Sequence, residues 1–353
     1  MKDIIEKILS IAVLAPSGDN AQPWRFVIRR NEIHIFNISD RDLTLYNFRQ
    51  RGAYLAHGAV IENIALAASD AGCRAGITLF PDDSDSNHVA IVALENEAIK
   101  KDPLFAYIAE RSTNRKPYRA EPLLKSEKSD ILSASGDIGC GEIRLVEDRA
   151  KINFLAEAIS LNERLILENR YIHDVLFTHI VWTEEEARER RAGMYVKTLE
   201  LKPPEKVALK LFRNWSLLKV LNKLGASRLL PKQSARLYAS SGAIGAIIMP
   251  DDSKRGYVMA GRVFQRMWLK ATKAGLCVSP ITGVAYLGKR IADGDTSEMP
   301  GEHVELIKEA YKKIIDSFGV STEVIAMVFR IGHGGRPSAT SFKLPPDIRS
   351  ENW

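Results

Sequence analysis

The sequence predicts an α+β fold in which two related halves share one chain, and three observations lead there. Amphipathic helices alternate with short apolar strands and hairpins, without the regular rhythm of a doubly wound parallel sheet. Two long helical stretches match each other: placing Tyr54 on Tyr257 aligns Gly58 with Gly261, Val60 with Val263, Leu66 with Leu269 and Gly72 with Gly275, without a gap. A polar loop, residues 15–26, separates an apolar helix from an apolar strand.

Ile4, Ile5, Ile8, Leu9, Ala12 and Val13 recur at helical spacing and predict the first helix. Pro16, Gly18 and Pro23 stop it, so Ser17 and Asn20 fall in irregular backbone with free amide groups, suited to gripping a planar ligand; a plain helix-to-strand connection is the alternative. Residues 24–36 read as two short strands, 54–71 as a long apolar helix closed by Gly72, and 87–94 as a strand. Residues 103–110 begin a helix leading into Arg111-Ser-Thr-Asn-Arg115. Then come a strand (142–146), a long helix (153–169), a strand (243–249), the second long helix (257–274) and a late strand (324–330). A glycine inside a helix costs about 1 kcal/mol relative to alanine, so its recurrence at Gly58 and Gly261 predicts close backbone approach.

With 353 residues, 45% hydrophobic and 27% charged, the chain has ample material for a core. No apolar run reaches the length of a membrane span, and Lys2, Asp3 and Glu6 interrupt any leader-like start, so a cytoplasmic location is expected. Cys73, Cys140 and Cys277 read as reduced thiols, and neither they nor His57, His173 and His179 have metal-site spacing. There is no dinucleotide fingerprint, phosphate-loop lysine motif or nucleophile elbow, so any nicotinamide is expected as a transient co-substrate. Eight cations and no acid lie between Lys206 and Arg236, more than the net charge of +6, so the remainder is slightly acidic. A basic patch so confined, without a recognisable module, argues against a nucleic-acid partner.

The loop Ala15-Pro16-Ser17-x-x-Asn20-x-Gln22-Pro23-Trp24-x-Phe26 resembles the signature loop of the FMN-dependent nitroreductase family. The resemblance implies that Pro16, Ser17, Gly18 and Asn20, within a flavin-edge loop at 15–24, lie against the flavin ring. In that family the loop crosses a dimer interface to serve a flavin held mainly by the other subunit. A chain with two such halves would build that interface within itself, which resembles the single-chain, two-repeat branch. The expected fold is therefore nitroreductase-like: two fused, degenerate repeats, each with a mixed or antiparallel sheet and long helices, forming an intrachain pseudo-dimer. The first repeat is placed at 1–100 and the second at 101–353. One FMN is expected, and a monomer is plausible.

Arg111, Thr113 and Arg115 resemble the family's Arg-x-Ser-x-Arg phosphate motif, with threonine replacing serine. Two guanidinium groups and a hydroxyl suit a phosphate dianion, although a solvated basic turn has the same composition. Gly275-Leu-Cys-Val-Ser-Pro280-Ile-Thr282-Gly283 resembles the segment Gly-Leu-x-x-x-Pro-x-Glu-Gly that runs beside the ring. By that resemblance Pro280, Thr282 and Gly283 contact the flavin, with the main-chain N–H at Thr282 facing N5; the missing carboxylate bears on substrate preference. An ordinary helix end is the plain alternative. Lys343, before Leu-Pro, matches the family's closing basic residue, with Arg336 its rival, and Arg236 falls where the family reaches the ribityl chain or phosphate.

The resemblance implies ping-pong hydride transfer from NAD(P)H through FMN to a small-molecule acceptor such as a nitroaromatic or quinone, with no catalytic acid or base assigned. The alternative is an FMN-sequestering protein with a closed lid and little reductase activity. An insertion at about 184–236 motivates it. Glu184, Glu185 and Glu186 with Arg188, Arg190 and Arg191 predict a charged helix, and residues 206–230 form a basic amphipathic pattern. A lid over the flavin is expected, its charge drawing phosphates; the same pattern would also suit a membrane surface.

Overall fold

The computed structural model describes residues 1–97 and 99–349, so residues 350–353 of the second expected segment lie outside the described residues. Helix α1 (Lys2–Ala12) buries Ile5, Ile8, Leu9 and Ala12, the stripe that its spacing predicts. The polar loop leads to a hairpin of β1 (Trp24–Arg29) and β2 (Glu32–Asn37). The largely buried helix α2 (Arg51–Asp70) follows, then β3 (Arg74–Leu79) and β4 (His88–Glu95). These strands form a sheet ordered β1-β2-β4-β3, all neighbours antiparallel.

The same succession then recurs with a long excursion inside it. Helix α3 (Lys125–Ile138) leads to β5 (Glu142–Val146). The excursion holds α4 (Arg149–Ile159), α5 (Leu161–Glu168), α6 (Arg170–His179), β6 (Ile180–Val181), α7 (Glu184–Arg190), β7 (Met194–Tyr195), α8 (Pro203–Phe212), α9 (Trp215–Lys223) and α10 (Ala226–Ala239). The chain returns through β8 (Ala243–Met249), α11 (Lys254–Lys273), β9 (Cys277–Pro280), α12 (Gly283–Ala292), α13 (Gly301–Phe318) and β10 (Val324–Gly332). The second sheet is ordered β5-β8-β10-β9, again antiparallel throughout. Strand β11 (Ile348–Arg349) pairs in parallel with β1, bringing the C-terminal segment back to the first sheet.

Between the sheets α2 and α11 cross where the glycines recur. A Cβ on Gly58 would stand 1.9 Å from the Val258 carbonyl oxygen, and one on Gly261 would stand 1.9 Å from that of Leu55. In the alignment of Tyr54 with Tyr257 these are reciprocal contacts, and only glycine allows them. Around the crossing, buried Glu62 accepts from Arg262 at 3.0 Å and pairs with Arg266 at 3.0 Å, while Gln265 donates to Asn63 at 2.7 Å. Buried polar groups thus meet across the helix pair, with Gln265 Oε1 left without a hydrogen-bond partner among the described residues. The structure is α+β with two main sheets, and none of its described helices is long and apolar enough to cross a membrane.

Three expected elements differ. The helix expected over 153–169 breaks at Ser160, whose hydroxyl donates to the Glu157 carbonyl at 2.9 Å. At 103–110 only a 3-10 turn (Pro103–Tyr107) forms, capped by Asp102 on the Leu104 amide. The basic stretch at 206–230 spans three helices, divided by the Asn214 cap and by Gly225 at φ 96°. Neither α12 nor α13 is anticipated by the sequence reading.

Candidate functional site

The loop after α1 is held in an unusual shape. Asp19, Asn20 and Gln22 have φ of 47°, 59° and 52°, left-handed values that cost energy in residues other than glycine. Side chains offset the cost: the Gln22 amide donates to Ser17 Oγ at 3.0 Å, Asn20 Nδ2 donates to the Phe342 carbonyl at 2.9 Å, and Gln22 Nε2 donates to the Arg191 carbonyl at 2.8 Å. Beyond them His179 Nδ1 lies 2.9 Å from Asp19 Oδ2, and this carboxylate raises the imidazole pKa against the opposing effect of burial. The loop is therefore tied to the C-terminal segment and to the excursion.

It forms one wall of a cavity of about 360 Å³. Pro16, Ser17 and Gly18 line it together with Pro280, Thr282 and Gly283 and with Thr113 and Arg115. Trp268 and Phe264 of α11 and Leu55 and Ala56 of α2 contribute apolar surface from the helix pair. Thr282 turns its hydroxyl away, donating to the Val328 carbonyl at 3.0 Å, and stands as the N-cap of α12 without a side-chain cap bond. The first amides of α12 lack intrahelical acceptors and place the positive end of a helix dipole at this wall. A Cβ on Gly283 would fall 2.4 Å from Asn162 Oδ1, so Gly283 admits a side chain of α5 as well as the cavity.

A second cavity of about 190 Å³ shares Pro16, Ser17, Asp19, Thr113, Arg115 and Met194 with the first. Its other walls bring Asn20, Arg111, Ser112, Ser341 and Lys343 together. The Arg111 guanidinium lies 4.4 Å over the Trp268 ring and donates from Nη2 to the Leu14 carbonyl at 3.1 Å, leaving Nε buried without a partner among the described residues. Burial lowers its pKa to about 10. Arg115 donates to the Thr198 carbonyl at 3.1 Å, and burial lowers its pKa too. Lys343 donates to the Ala15 carbonyl and to Asn20 Oδ1, each at 2.8 Å. Burial, with the Arg111 charge adding to it, pushes its pKa down to about 7. Arg111, Arg115 and Lys343 form no ion pair with a carboxylate among the described residues, although Asp19 lines both cavities and its charge raises the Arg115 pKa against burial; three cations at this end suit an anion.

Arg236 and Arg336 are not brought to the site. On α10 it is Tyr238, two residues on, that lines the larger cavity, while Arg236 is exposed on another face of the helix. Arg336 is also exposed, and its carbonyl rather than its side chain is engaged, by Lys116 Nζ at 2.7 Å. The expected lid is likewise displaced. Residues 206–230 line neither cavity, and the wall comes instead from α5 and α6 through Ile166, Tyr171, Ile172, Val175 and Leu176, with Met194 of β7. These apolar residues carry no motif and are found only by their helical spacing. Sequence reasoning also missed Glu163. This enclosed carboxyl accepts from Tyr238 at 2.5 Å, and burial raises its pKa to about 7. Among the described residues no group of side chains suited to a metal ion occurs.

No family model matches the sequence. A Mycobacterium tuberculosis protein named "Uncharacterized protein MT1398" is 21% identical over 344 residues, 95% of this chain and 46% of that protein. From the same species, "Putative NAD(P)H nitroreductase acg" is 28% identical over 185 residues, 50% of this chain and 53% of the relative. "Putative NAD(P)H nitroreductase Rv3131" is 23% identical over 290 residues, 81% of this chain and 78% of the relative. The chain spans about half the length of the first two. A nitroreductase with bound FMN from Bacteroides fragilis superposes with a TM-score of 0.36 at 11% identity, covering 69% of this chain and 95% of that one, a likeness too loose to carry weight. By sequence the chain is a distant relative of nitroreductase-like proteins.

Proposed function

We propose that this protein is an FMN-dependent oxidoreductase that takes reducing equivalents from NAD(P)H and passes them to a small, flat acceptor of the nitroaromatic or quinone type. One observation carries the reading: Arg111, Arg115 and Lys343 converge, with no carboxylate ion-pair partner among the described residues, at one end of a largely apolar cavity. A phosphate dianion supplies the missing charge, and the adjoining apolar slot suits a flat ring system. The residues present therefore fit FMN. The names of the distant relatives point the same way.

Bound in this site, FMN would supply hydride and electron transfer between a nicotinamide and an acceptor. The protein's residues do the rest. Arg111, Arg115 and Lys343 hold the phosphate, with the Thr113 hydroxyl beside them. Pro16, Ser17 and Gly18 face Pro280, Thr282 and Gly283 across the slot and orient a flat group between them. The amide end of α12 stabilises negative charge that develops there. The α5 and α6 side chains exclude water, and Tyr238 with Glu163 holds a proton at the wall. In this reading the matching sheets and the reciprocal glycine contacts reflect two fused repeats, with 101–353 supplying the phosphate groups and 1–100 the flavin-edge loop.

One observation favours the sequestering alternative. Asn20 and Gln22 both donate to the Arg191 carbonyl, at 3.3 and 2.8 Å, so the excursion is fastened to the flavin-edge loop. The visible spectrum of the purified protein, followed by anaerobic addition of NADPH and then NADH, decides between the two. Rapid bleaching of a bound flavin supports the oxidoreductase; flavin that stays oxidised supports sequestration. Arg111→Ala with Arg115→Ala is expected to weaken FMN binding at least about a hundredfold, since each charge-assisted contact contributes roughly 1.5–3 kcal/mol. Unchanged flavin content in that variant would overturn the phosphate assignment.

A further inference from the structure

We propose that α8, α9 and the start of α10 form a docking face for an anionic lipid bilayer. The exposed large apolar side chains of the molecule are concentrated there: Val207 and Leu211 on α8, Leu217, Val220 and Leu224 along α9, and Leu229 on α10. Leu224 is 80% exposed and Val220 55%, values that mark side chains with no covering element among the described residues. Their spacing is that of helix faces. Val207 and Leu211 are one turn apart, and Leu217, Val220 and Leu224 follow the i, i+3, i+7 pattern, while Leu218 of the same helix is fully buried. Helix α9 thus packs Leu218 inward while turning a second apolar side to solvent, and α8 and α10 add their exposed apolar side chains to the same stretch.

Charge identifies the occupant. Lys202 and the eight cations from Lys206 to Arg236 are all exposed, and none forms an ion pair with a carboxylate among the described residues. The one acid among these residues, Glu205, accepts from the Lys202 backbone amide at 2.7 Å as part of the α8 cap. On other helices several basic residues are paired with an acid one turn away, as Arg188 is with Glu184, Lys312 with Asp316 and Lys313 with Glu309. An apolar protein partner would leave this charge unanswered, and a nucleic acid would leave the leucines in water. A leaflet of anionic headgroups over acyl chains answers both. The face is firmly mounted: Asn222 donates to the Leu167 carbonyl at 2.6 Å, and His173 Nε2 lies 2.8 Å from the Phe212 carbonyl.

The test is flotation of the whole protein with vesicles of phosphatidylcholine alone, or of phosphatidylcholine mixed with phosphatidylglycerol. Binding is expected only to the mixed vesicles and is expected to fall as salt rises. Val220→Glu with Leu224→Glu, both at exposed positions, and separately Lys219→Glu with Lys223→Glu, are each expected to lower partitioning at least about tenfold. Circular dichroism of both variants should match the parent, and a variant with an altered spectrum is replaced by Val220→Ser with Leu224→Ser. No binding of the parent to mixed vesicles, equal binding to neutral ones, or undiminished binding of folded variants would each overturn the proposal. Capture by a nucleic acid in place of vesicles would do so too.

Discussion

Lys343 sits among neutral acceptors with Arg111 as its charged neighbour, and burial together with that neighbour lowers its pKa to about 7. Its free amine is therefore largely neutral above neutrality, whereas a phosphate dianion beside it would hold the proton on. Binding and protonation are linked, and the sign follows: the complex binds more protons than the free protein, so affinity falls as pH rises above about 7 by up to tenfold per unit. FMN titrated into the cofactor-free protein at about pH 8 should take up a proton, seen as a binding heat that depends on the ionisation heat of the buffer. Lys343→Met should bind more weakly and lose that dependence. Buffer-independent heats in the parent would show that Lys343 does not meet the phosphate.

At the scale of elements the crossing of α2 and α11 is the tightest constraint. Gly58→Ala places a methyl group 1.9 Å from a carbonyl oxygen that belongs to the partner helix backbone, and Gly261→Ala does the same in the reciprocal place. Neither contact is relieved by a rotamer change, so the helices must separate. Each substitution is expected to cost about 3 kcal/mol or more, which denaturant unfolding would measure. A cost below about 1 kcal/mol in either variant would mean that the crossing yields easily. The sequence shows this crossing because glycine recurs in register where helix propensity disfavours it. It shows the polar loop and the arginine motif because proline, glycine and paired arginines are locally unusual. The cavity wall from α5 and α6 was not legible, since Ile166, Ile172 and Val175 look like any apolar stripe until the neighbouring helices are placed. Arg236 misled for a related reason: sequence gives a charge, but the face of α10 that meets the cavity carries Tyr238. Of the insertion expected as a lid, 206–230 has the amphipathicity of a cover yet packs one layer out, on α5 and α6, while Met194 and Thr198 of 184–236 reach the cavities.

For the molecule as a whole, the two sheets share a strand order but not their connections, and on the proposed reading this bears on how many sites there are. Residues 13–23 join α1 to β1 and include the strained loop, whereas only residues 139–141 join α3 to β5, too few to form its counterpart. Arg111 and Arg115 precede α3, while residues 1–100 contain no Arg-x-Ser-x-Arg or Arg-x-Thr-x-Arg pattern. On the proposed two-repeat reading each half supplies what the other lacks, and one complete site per chain is expected. The outer edge of β1, which would otherwise be open for pairing with another molecule, is covered by β11 from the same chain. On that reading the expected species is a monomer with one FMN per 39.4 kDa chain. Light scattering combined with flavin absorbance should give that mass and that ratio, and dilution should leave the ratio unchanged. Two flavins per chain, or a dimer that releases its flavin as it dissociates, would show that the site needs a second copy and that the two halves do not complete each other.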